Sequence, residues 1–360
     1  MHVALMAGSL TRGGTERVLV NLADYLISRG DTVTVVTLSR YENEYELNKS
    51  ATRIVWDLEP CEITSNRVKN LIKRINKLKS IWNEFKPDVI LSFIGKNNFM
   101  ALLTAPKSIP VVVSIRAIPW MEYPTKLSRL VAYLLYGKAA TVILQTKNQD
   151  MYFSKKAKSK SVVLKNPIDS RFLVEPYDGE RDKVIVSVGR VDENKNHKMI
   201  IDAFAPIAKE YPDWKVVIYG DGDLRQDLLK YVDSMGLSGR IELPGNVPDV
   251  AEKIKKTSVF ILSSNTEGIP NSLIEAMCLG LAPISTDCTC GGMDELIQNG
   301  VNGYVVPVGD TPKMQETLQN LLCDLQRILD ISEKTRGTRD IYQPEKVLGE
   351  WCNVLKNLTK

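Results

Sequence analysis

Two glutamates, Glu267 and Glu275, stand eight positions apart in the stretch SVFILSSNTEGIPNSLIEAMCLGLAPIST, residues 258–286. The apolar run VFILSS at its start predicts a buried strand. Pro270 suits the first turn of a helix, where its missing N–H is not needed, and we predict a helix from Asn271 to about Cys278. The free N–H groups and the positive dipole end of that helix point back at the loop, which makes the loop a candidate phosphate site.

The positions of the two carboxylates predict different contacts with a phosphate-bearing ligand. Glu275 lies about one turn inside the predicted helix, where its carboxylate can accept two hydrogen bonds from a ribose diol. Glu267 lies in the loop and reaches past the phosphates towards the group attached to them. Judged by spacing alone, two solvated glutamates beside a connecting loop explain the pattern equally well.

A second motif, VSVGRVDENKNH, places two cations beside the same crevice. The predicted strand VIVSVG ends at Gly189, Arg190 follows directly, and Lys195 comes five residues later. Together the two side chains can neutralise a diphosphate that becomes a leaving group. A solvated Arg and Lys on one loop are common, but cations and paired glutamates at strand ends of a single sheet are much rarer, and the combination favours a binding site.

The elements that position these residues alternate along the whole chain. Continuous apolar runs, typical of strands covered on both faces, alternate with amphipathic stretches such as 14–29 and 66–86, and this order predicts parallel sheets. The pattern pauses at the Pro-, Gly- and charge-rich stretch 165–183 and then restarts. We therefore predict two doubly wound α/β domains in series, each with its functional loops at the carboxyl ends of its strands.

Composition excludes several classes of protein. The 360 residues contain two histidines and six scattered cysteines with no CxxC pair, which argues against a metal site, a Ser-His-Asp triad and a disulfide framework. The N-terminus is not of the secretory-signal type, and no apolar run is long enough to span a bilayer. Residues 1–172 carry 26 basic and 14 acidic side chains, whereas the remainder carries 21 and 29, so the first half is expected to meet something anionic.

Taken together, Arg190, Lys195 and the Glu-x7-Glu pattern resemble the family 4 retaining glycosyltransferases. Three further stretches are similar to the same family: IYGDGDLRQDLL to its second strand and Gly-x-Gly turn, LPGNVPDV to its base-cradling loop, and NPID to its domain junction. The resemblance covers nearly the whole chain and is strongest over residues 160–310. It implies the GT-B fold, in which two Rossmann-like doubly wound domains face each other across a cleft.

The resemblance also implies roles for individual residues. Arg190 and Lys195 would stabilise the departing diphosphate, Glu267 would contact the donor sugar, and Glu275 would hold the ribose. The remaining donor-binding positions are expected to be Gly13, Gly14, Gly189, Gly220, Asn246, Gly268, Ile269, Pro270, Asn271, Ser272 and Leu273.

The N-terminal half carries a weaker signal and one departure from the family. LTRGGTERV resembles the glycine-rich loop after the first strand, where Gly13 and Gly14 would let the backbone approach the donor phosphate and the acceptor. A plain strand-to-helix turn explains these residues as well. Many family members carry a histidine after the fifth strand, but this sequence has Arg116 near that place. Arg116 either contacts the acceptor or a donor phosphate, or it is structural.

The basic character concentrates partly in residues 66–85, an amphipathic helix whose lysines and arginines lie largely off its apolar stripe. Such a helix can sit on an anionic membrane surface or grip a lipid diphosphate, and Lys73, Arg74 and Lys77 are the predicted membrane-facing residues. A core-packing helix with solvated lysines is the alternative. No nucleic-acid-binding motif accompanies the charge.

We expect residues 1–168 to form an acceptor-binding domain and residues 169–338 a nucleotide-sugar-binding domain, with a C-terminal helix in 339–360 crossing back to the first. The resemblance implies metal-independent, retaining transfer from a UDP-hexose or UDP-N-acetylhexosamine, with galactose or N-acetylgalactosamine favoured. The expected acceptor is a glycan on a polyprenyl diphosphate, in bacterial surface polysaccharide or glycan synthesis. The expected location is cytoplasmic, with peripheral contact at the inner face of the membrane. The alternatives are a non-catalytic nucleotide-sugar or lipid-binding module and a non-hydrolysing UDP-sugar epimerase.

Overall fold

The computed structural model describes residues 1–11, 13–117, 119–288 and 292–359, without the side chains of Pro119 and Trp120. Arg12 of the glycine-rich loop and Cys290 therefore lie outside the described residues. The chain divides into two compact units: Met1–Pro167 with Glu345–Lys360, and Ile168–Pro344. The boundaries predicted from the sequence lie after residues 168 and 338.

The first unit is built on a parallel sheet of seven strands in the order β3-β2-β1-β4-β5-β6-β7. Its strands are β1 (His2–Ala7), β2 (Thr32–Thr37), β3 (Thr52–Val55), β4 (Val89–Phe93), β5 (Val111–Ser114), β6 (Thr141–Leu144) and β7 (Ser161–Val163). Its helices are α1 (Gly14–Ser28), α2 (Arg67–Phe85), α3 (Gly95–Thr104), α4 (Pro119–Glu122), α5 (Lys126–Leu135) and α6 (Lys155–Lys158). The predicted helices at 14–29 and 66–86 are confirmed, while the edge strands β3 and β7 had not been predicted.

Helices cover both faces of this sheet, because alternate side chains of each strand point to opposite sides. In β1, Val3 and Leu5 enter a core with α1, whereas Ala4 and Met6 enter a second core with α2, α3 and α5. Both sets are apolar, which explains why the strand reads as a continuous hydrophobic run rather than an alternating one.

The second unit contains a parallel sheet of six described strands in the order β10-β9-β8-β11-β12-β13. These are β8 (Asp182–Val188), β9 (Lys215–Tyr219), β10 (Ile241–Gly245), β11 (Thr257–Leu262), β12 (Ala282–Thr286) and β13 (Tyr304–Val306). The helices are α7 (His197–Phe204), α8 (Arg225–Ser234), α9 (Val250–Ile254), α10 (Asn271–Cys278), α11 (Thr311–Leu322), α12 (Leu325–Thr335) and α13 (Thr338–Ile341). The helix predicted from Asn271 to about Cys278 is confirmed, as are the predicted strands VIVSVG and VFILSS, which form β8 and β11.

The last helix, α14 (Pro344–Lys356), packs within the first unit. Its Trp351 ring stacks on Phe93 at a centroid distance of 5.9 Å. The indole N–H of Trp351 donates to the Lys165 carbonyl at 2.9 Å. Among the residues described, no helix is long and apolar enough to cross a bilayer.

Candidate active site

The loops that follow β8 and β11 lie side by side. The two strands pair in parallel, with Val186 opposite Phe260, and the strand order of the sheet reverses between them. In open parallel sheets, ligands bind beyond the carboxyl ends of the strands at such a reversal. This position in the second unit is therefore the candidate site.

Polar side chains fasten these two loops to each other. The Asn194 amide donates to the Thr266 carbonyl at 2.9 Å, and the Thr266 hydroxyl donates back to Asn194 Oδ1 at 2.8 Å. The Asn265 N–H donates to the Asn194 carbonyl at 2.7 Å. The Ser263 hydroxyl donates to the backbone carbonyl of Lys195 at 2.8 Å. Each loop thus has its backbone position set by the other.

This fastening brings Lys195 and Glu267 together. Lys195 Nζ lies 2.7 Å from Glu267 Oε1, and each side chain is 16% exposed. The Lys195 stem crosses Gly189, where an added Cβ would lie 3.2 Å from Lys195 Cε. The Glu267 N–H donates to the Cys288 carbonyl at 2.7 Å, which fixes the backbone beneath the carboxylate. Two residues predicted separately from the sequence therefore form one half-buried ion pair.

Arg190 is placed differently from Lys195. Its side chain is 78% exposed, and its Nη2 lies 3.3 Å from Asp192 Oδ2. Asp192 Oδ1 also accepts the Lys195 backbone N–H at 2.9 Å. The two predicted cations share a loop, but the structure pairs only Lys195 with Glu267.

His197, which is not among the predicted site residues, supports the backbone of this loop. It is buried, its Nε2–H donates to the Arg190 carbonyl at 3.2 Å, and its Nδ1 lies 3.4 Å from the Ser187 hydroxyl. Burial, and then the positive charge of Lys195, lowers the pKa of His197 to about 4. The imidazole is therefore neutral and holds the Arg190 backbone in place.

The Gly-x-Gly turn after β9 packs directly against the loop that carries Arg190 and Lys195, here called the cation loop. Gly220 has φ +139°, and an added Cβ would lie 1.8 Å from the Gly189 carbonyl oxygen. At Gly222 the same atom would lie 2.4 Å from the Val191 oxygen. Both glycines are thus required by close backbone approach. Asn246, after β10, is exposed to solvent.

The N-terminus of α10 lies at the end of the β11 loop. Pro270 occupies the N-cap position, and no side chain caps the helix. The hydroxyls of Ser264 and Ser272 are buried with no hydrogen-bond partner among the residues described. Gly268 and Ile269 are half-buried and Leu273 is buried. A phosphate group binds hydrogen-bond donors that have no other partner at a helix N-terminus.

Glu275 lies in the second turn of α10 and is 5% exposed. The pKa of Arg171 is raised mainly by its hydrogen bond with Asp169, and the negative charge of Glu275 makes a smaller contribution in the same direction. Burial, with the charge of Glu275 second, raises the pKa of Cys278 to about 12. Glu275 thus lies on the same helix as the uncapped N-terminus.

The predicted site residues of the first unit are Gly13, Gly14 and Arg116. Gly13 is the N-cap of α1, and an added Cβ there would lie 2.4 Å from Glu16 Oε2; Gly14 is the exposed first residue of the helix. Arg116 is 8% exposed, and its guanidinium carbon lies 5.9 Å from the Phe93 ring centroid and 5.6 Å from the Trp351 ring centroid, beside the stacked pair.

The Arg116 guanidinium is only partly satisfied. Its Nη2 donates to Asn166 Oδ1, while Nε and Nη1 are buried with no hydrogen-bond partner among the described residues. Burial lowers the pKa of Arg116 to about 10, against the opposing charges of Glu122 and Glu16. Arg116 therefore packs as a structural residue would, yet keeps two donor atoms available.

The alternative to a membrane-facing role was a core-packing helix whose lysines are solvated. Lys73, Arg74 and Lys77 do more than contact solvent, because each of them also contacts another part of the protein. Arg74 pairs with Asp57 at 2.7 Å, and the ammonium groups of Lys77 and Lys73 donate to the carbonyls of Asp57 and Glu62. All three hold the 57–62 segment against α2. In the part of the chain that the structure describes, no cluster of three or more His, Cys, Asp or Glu side chains is placed to hold a metal.

Two family models match the chain in adjacent ranges. Residues 12–172 match "Glycosyltransferase Family 4", and residues 174–337 match "Glycosyl transferases group 1".

Full-length relatives are similar at about a quarter identity. An α-1,4-N-acetyl-D-galactosaminyltransferase of Campylobacter jejuni, which acts on GalNAc-α-(1→4)-GalNAc-α-(1→3)-diNAcBac-PP-undecaprenol, is 25% identical, over 99% of this chain and 98% of its own. The amylovoran biosynthesis glycosyltransferase AmsD of Erwinia amylovora is 26% identical, over 98% of each chain.

Solved structures share the architecture. Anabaena HepE in complex with UDP superposes with a TM-score of 0.82 at 17% identity, covering 99% of this chain and 100% of that one. Sucrose-phosphate synthase from Thermosynechococcus elongatus superposes with a TM-score of 0.82 at 16% identity, covering 99% and 98%. The predicted fold class, two Rossmann-like doubly wound domains of the GT-B type, is confirmed.

His197 makes the stability of the protein depend on pH. Since its folded pKa of about 4 lies below the ordinary value of 6.5, its contribution is complete above pH 6.5 and is lost as the pH falls towards 4. Between pH 7 and pH 4.5 we expect wild type to lose about 2–3 kcal/mol more of its unfolding free energy than His197→Gln, which does not titrate. Urea denaturation at both pH values measures this difference. Equal losses in the two proteins would contradict the neutral, buried assignment.

Proposed function

Because the chain belongs to the family 4 glycosyltransferases of the GT-B fold, we propose that it transfers a hexose or N-acetylhexosamine from a UDP-sugar, with retention of configuration, to a glycan carried on a polyprenyl diphosphate. The observation that carries the proposal is the Lys195–Glu267 ion pair, held between the two loops at the strand-order reversal.

Lys195 is the principal stabiliser of the leaving diphosphate. Its ammonium is positioned by a stem packed on Gly189 and by the Ser263 hydrogen bond to its carbonyl. A donor phosphate beside Glu267 would take the ammonium from that carboxylate, since a dianionic group attracts it more strongly. The positive charge is then present before the bond breaks, which lowers the barrier without reorganisation.

Glu267 and α10 bind the rest of the donor. Released from Lys195, the Glu267 carboxylate accepts hydrogen bonds from sugar hydroxyls. The uncapped N-terminus of α10, with the Ser272 hydroxyl, binds phosphate oxygens, and Glu275 accepts from the ribose diol. The exposed Arg190 side chain is free of packing constraints and folds onto the diphosphate when the donor binds.

Retention follows from departure and attack on one face of the sugar. The leaving phosphate takes the proton of the attacking hydroxyl, so no protein general base is required. His197 does not serve as a general base, because it is buried and both of its ring nitrogens face protein groups. Gly13, Gly14 and Arg116 of the first unit are proposed to approach the acceptor or a donor phosphate. Lys195 and Arg190 supply the positive charge that a metal provides in other transferases.

N-acetylgalactosamine or galactose is the favoured sugar. The Campylobacter jejuni relative is by its name an N-acetylgalactosaminyltransferase acting on an undecaprenyl diphosphate glycan, and the Erwinia amylovora relative is by its name a glycosyltransferase of amylovoran biosynthesis. A bacterial pathway that assembles a surface glycan on a lipid diphosphate accommodates both precedents.

Lys195→Ala should lower kcat/KM by about 2–4 kcal/mol, roughly 30- to 900-fold, because one positioned charge is removed from the leaving group. The measurement is UDP release from UDP-N-acetylgalactosamine and UDP-galactose with a polyprenyl diphosphate-linked glycan as acceptor. The matched control is Lys198→Ala, since Lys198 is also a lysine of this region but pairs with Asp202 at 2.7 Å and is 52% exposed. Near-normal turnover by folded Lys195→Ala would reject the diphosphate assignment. UDP binding by wild type without turnover on any acceptor would favour a binding module.

Transfer should survive dialysis against EDTA, because the cations of the cation loop are proposed to take the place of a metal. Turnover is compared before chelation, after chelation, and after manganese is added back. A metal-dependent glycosyltransferase carried through the same dialysis shows that chelation was effective. Complete loss of activity with recovery in manganese would show that a metal takes part.

A further inference from the structure

Three helices on one face of the seven-stranded sheet expose large apolar side chains. In the second core of the first unit, α3 packs between α2 and α5. The outward apolar side chains, here called the apolar face, are 47% to 70% exposed: Val68, Leu71 and Ile72 of α2, Leu103 of α3, and Leu127, Leu130, Tyr133 and Leu134 of α5.

Helix α5 is the clearest member of this face. Four of its ten residues are exposed large apolar side chains, while Ala132 alone is buried. An ordinary surface helix turns such residues to the core. In α2, the C-terminal half follows that rule with Leu78 and Trp82 buried, but the N-terminal half does not. Single exposed leucines are common in soluble proteins, whereas a contiguous set marks an interaction surface.

A hollow of about 510 Å³ joins the three helices. Its apolar lining includes Trp56, Leu71, Phe99, Met100, Leu103 and Val131. The carboxylate in its lining, Asp57, is paired with Arg74. Leu71 of α2 and Leu103 of α3 belong to both the apolar face and this hollow, and Val131 brings α5 to its wall, so the three helices border one depression.

A second hollow of about 810 Å³ adjoins the first, and Leu103 lines both. Four lysines line it, Lys107, Lys138, Lys156 and Lys160, and no carboxylate is among its lining residues in the described part of the chain. Lys160 Nζ is held by the Ala139 carbonyl at 2.9 Å. This lysine hollow therefore presents concentrated positive charge at the edge of the apolar face.

The helices themselves carry the same sign. Helix α2 has six basic residues and one acidic residue. Helix α5 has two basic residues and helix α3 has one, and neither of these two helices contains an acidic residue. A second copy of this chain would bring like charges together, which opposes self-association through the face. The surface of an anionic bilayer complements it in both respects, since the interface takes apolar side chains and the headgroups take lysines.

We propose that the apolar face docks on an anionic phospholipid bilayer, with the side chains of α5 and the first half of α2 entering the interface and the lysine hollow meeting headgroup phosphates. The inference extends the proposed function by naming the surface from which a lipid-linked acceptor would be reached. It relocates the membrane contact from Lys73, Arg74 and Lys77, which hold the 57–62 segment, to the outward apolar side chains and the neighbouring lysine hollow.

The test is co-sedimentation with vesicles of phosphatidylglycerol and phosphatidylethanolamine, compared with phosphatidylcholine vesicles. We expect wild type to bind the anionic vesicles and to be released by salt. Leu130→Asp/Leu134→Asp should weaken binding roughly tenfold or more, because two inserted side chains become charged. Lys107→Glu/Lys138→Glu should weaken binding by a similar factor, and that loss should disappear at high salt.

Matched controls separate the face from general effects. Leu325→Asp/Leu329→Asp changes an equally spaced pair of leucines on α12, which are 50% and 51% exposed. Lys209→Glu/Lys253→Glu makes the same charge change on the second unit. Both controls should bind as wild type does. Thermal melts accompany every variant, and Leu127→Asp, at the 70% exposed position, replaces the α5 pair if that pair does not fold.

Vesicle binding by folded Leu130→Asp/Leu134→Asp equal to that of wild type would overturn the proposal. So would a concentration-dependent dimer in sedimentation that this variant abolishes, since the occupant would then be a second copy. Sugar transfer to a detergent-dissolved acceptor should be unchanged in this variant, so failure of the docking proposal and failure of the proposed transferase activity give different results.

Discussion

The parallel pairing of β8 with β11 is the constraint on which the candidate site depends. These strands are distant in sequence, yet they are neighbours at the point where the strand order reverses. Their following loops emerge at one edge of the sheet, where Asn194 and Thr266 fasten them together. The Lys195–Glu267 pair exists only because both conditions are met. The ammonium that we propose stabilises the leaving group and the carboxylate that we propose binds the sugar are thereby held at hydrogen-bonding distance.

Much of the surrounding structure maintains the backbone of the Lys195 loop. Gly220 and Gly222 permit the next turn to approach within a distance that any Cβ would prevent. His197, kept neutral by burial, donates a hydrogen bond to the Arg190 carbonyl. These residues do not need to touch a ligand to matter, because a displaced loop would separate Lys195 from Glu267. The glycines of the Gly-x-Gly turn are thus accounted for by packing.

Local pattern was sufficient to predict α10, the parallel sheets and the proximity of Lys195 and Glu267 at one edge of a sheet, because apolar runs and a helix-starting proline act over few residues. It did not reveal β3 and β7, which are short, partly exposed edge strands with weak apolar signals. Nor did it reveal Arg74 pairing with Asp57, or the support from His197, since such contacts depend on which distant segments meet. The hydrogen bonds between the two loops do have a signal in the sequence, namely the polar run Asn-Lys-Asn-His in one loop and the Asn-Thr before Glu267 in the other. The exposed leucines of α5 had the pattern of an ordinary amphipathic helix, and only packing shows that they face outward.

The central claim is that Lys195 exchanges Glu267 for a donor phosphate, and calorimetric UDP binding tests it most directly. Glu267→Gln removes the competing charge but keeps the side-chain shape, so it should tighten UDP binding roughly threefold to tenfold. In a Lys195→Ala background, the same Glu267→Gln change should have no effect, since no ammonium is left to release. A weaker or unchanged affinity in Glu267→Gln, or an equal gain in both backgrounds, would contradict the exchange.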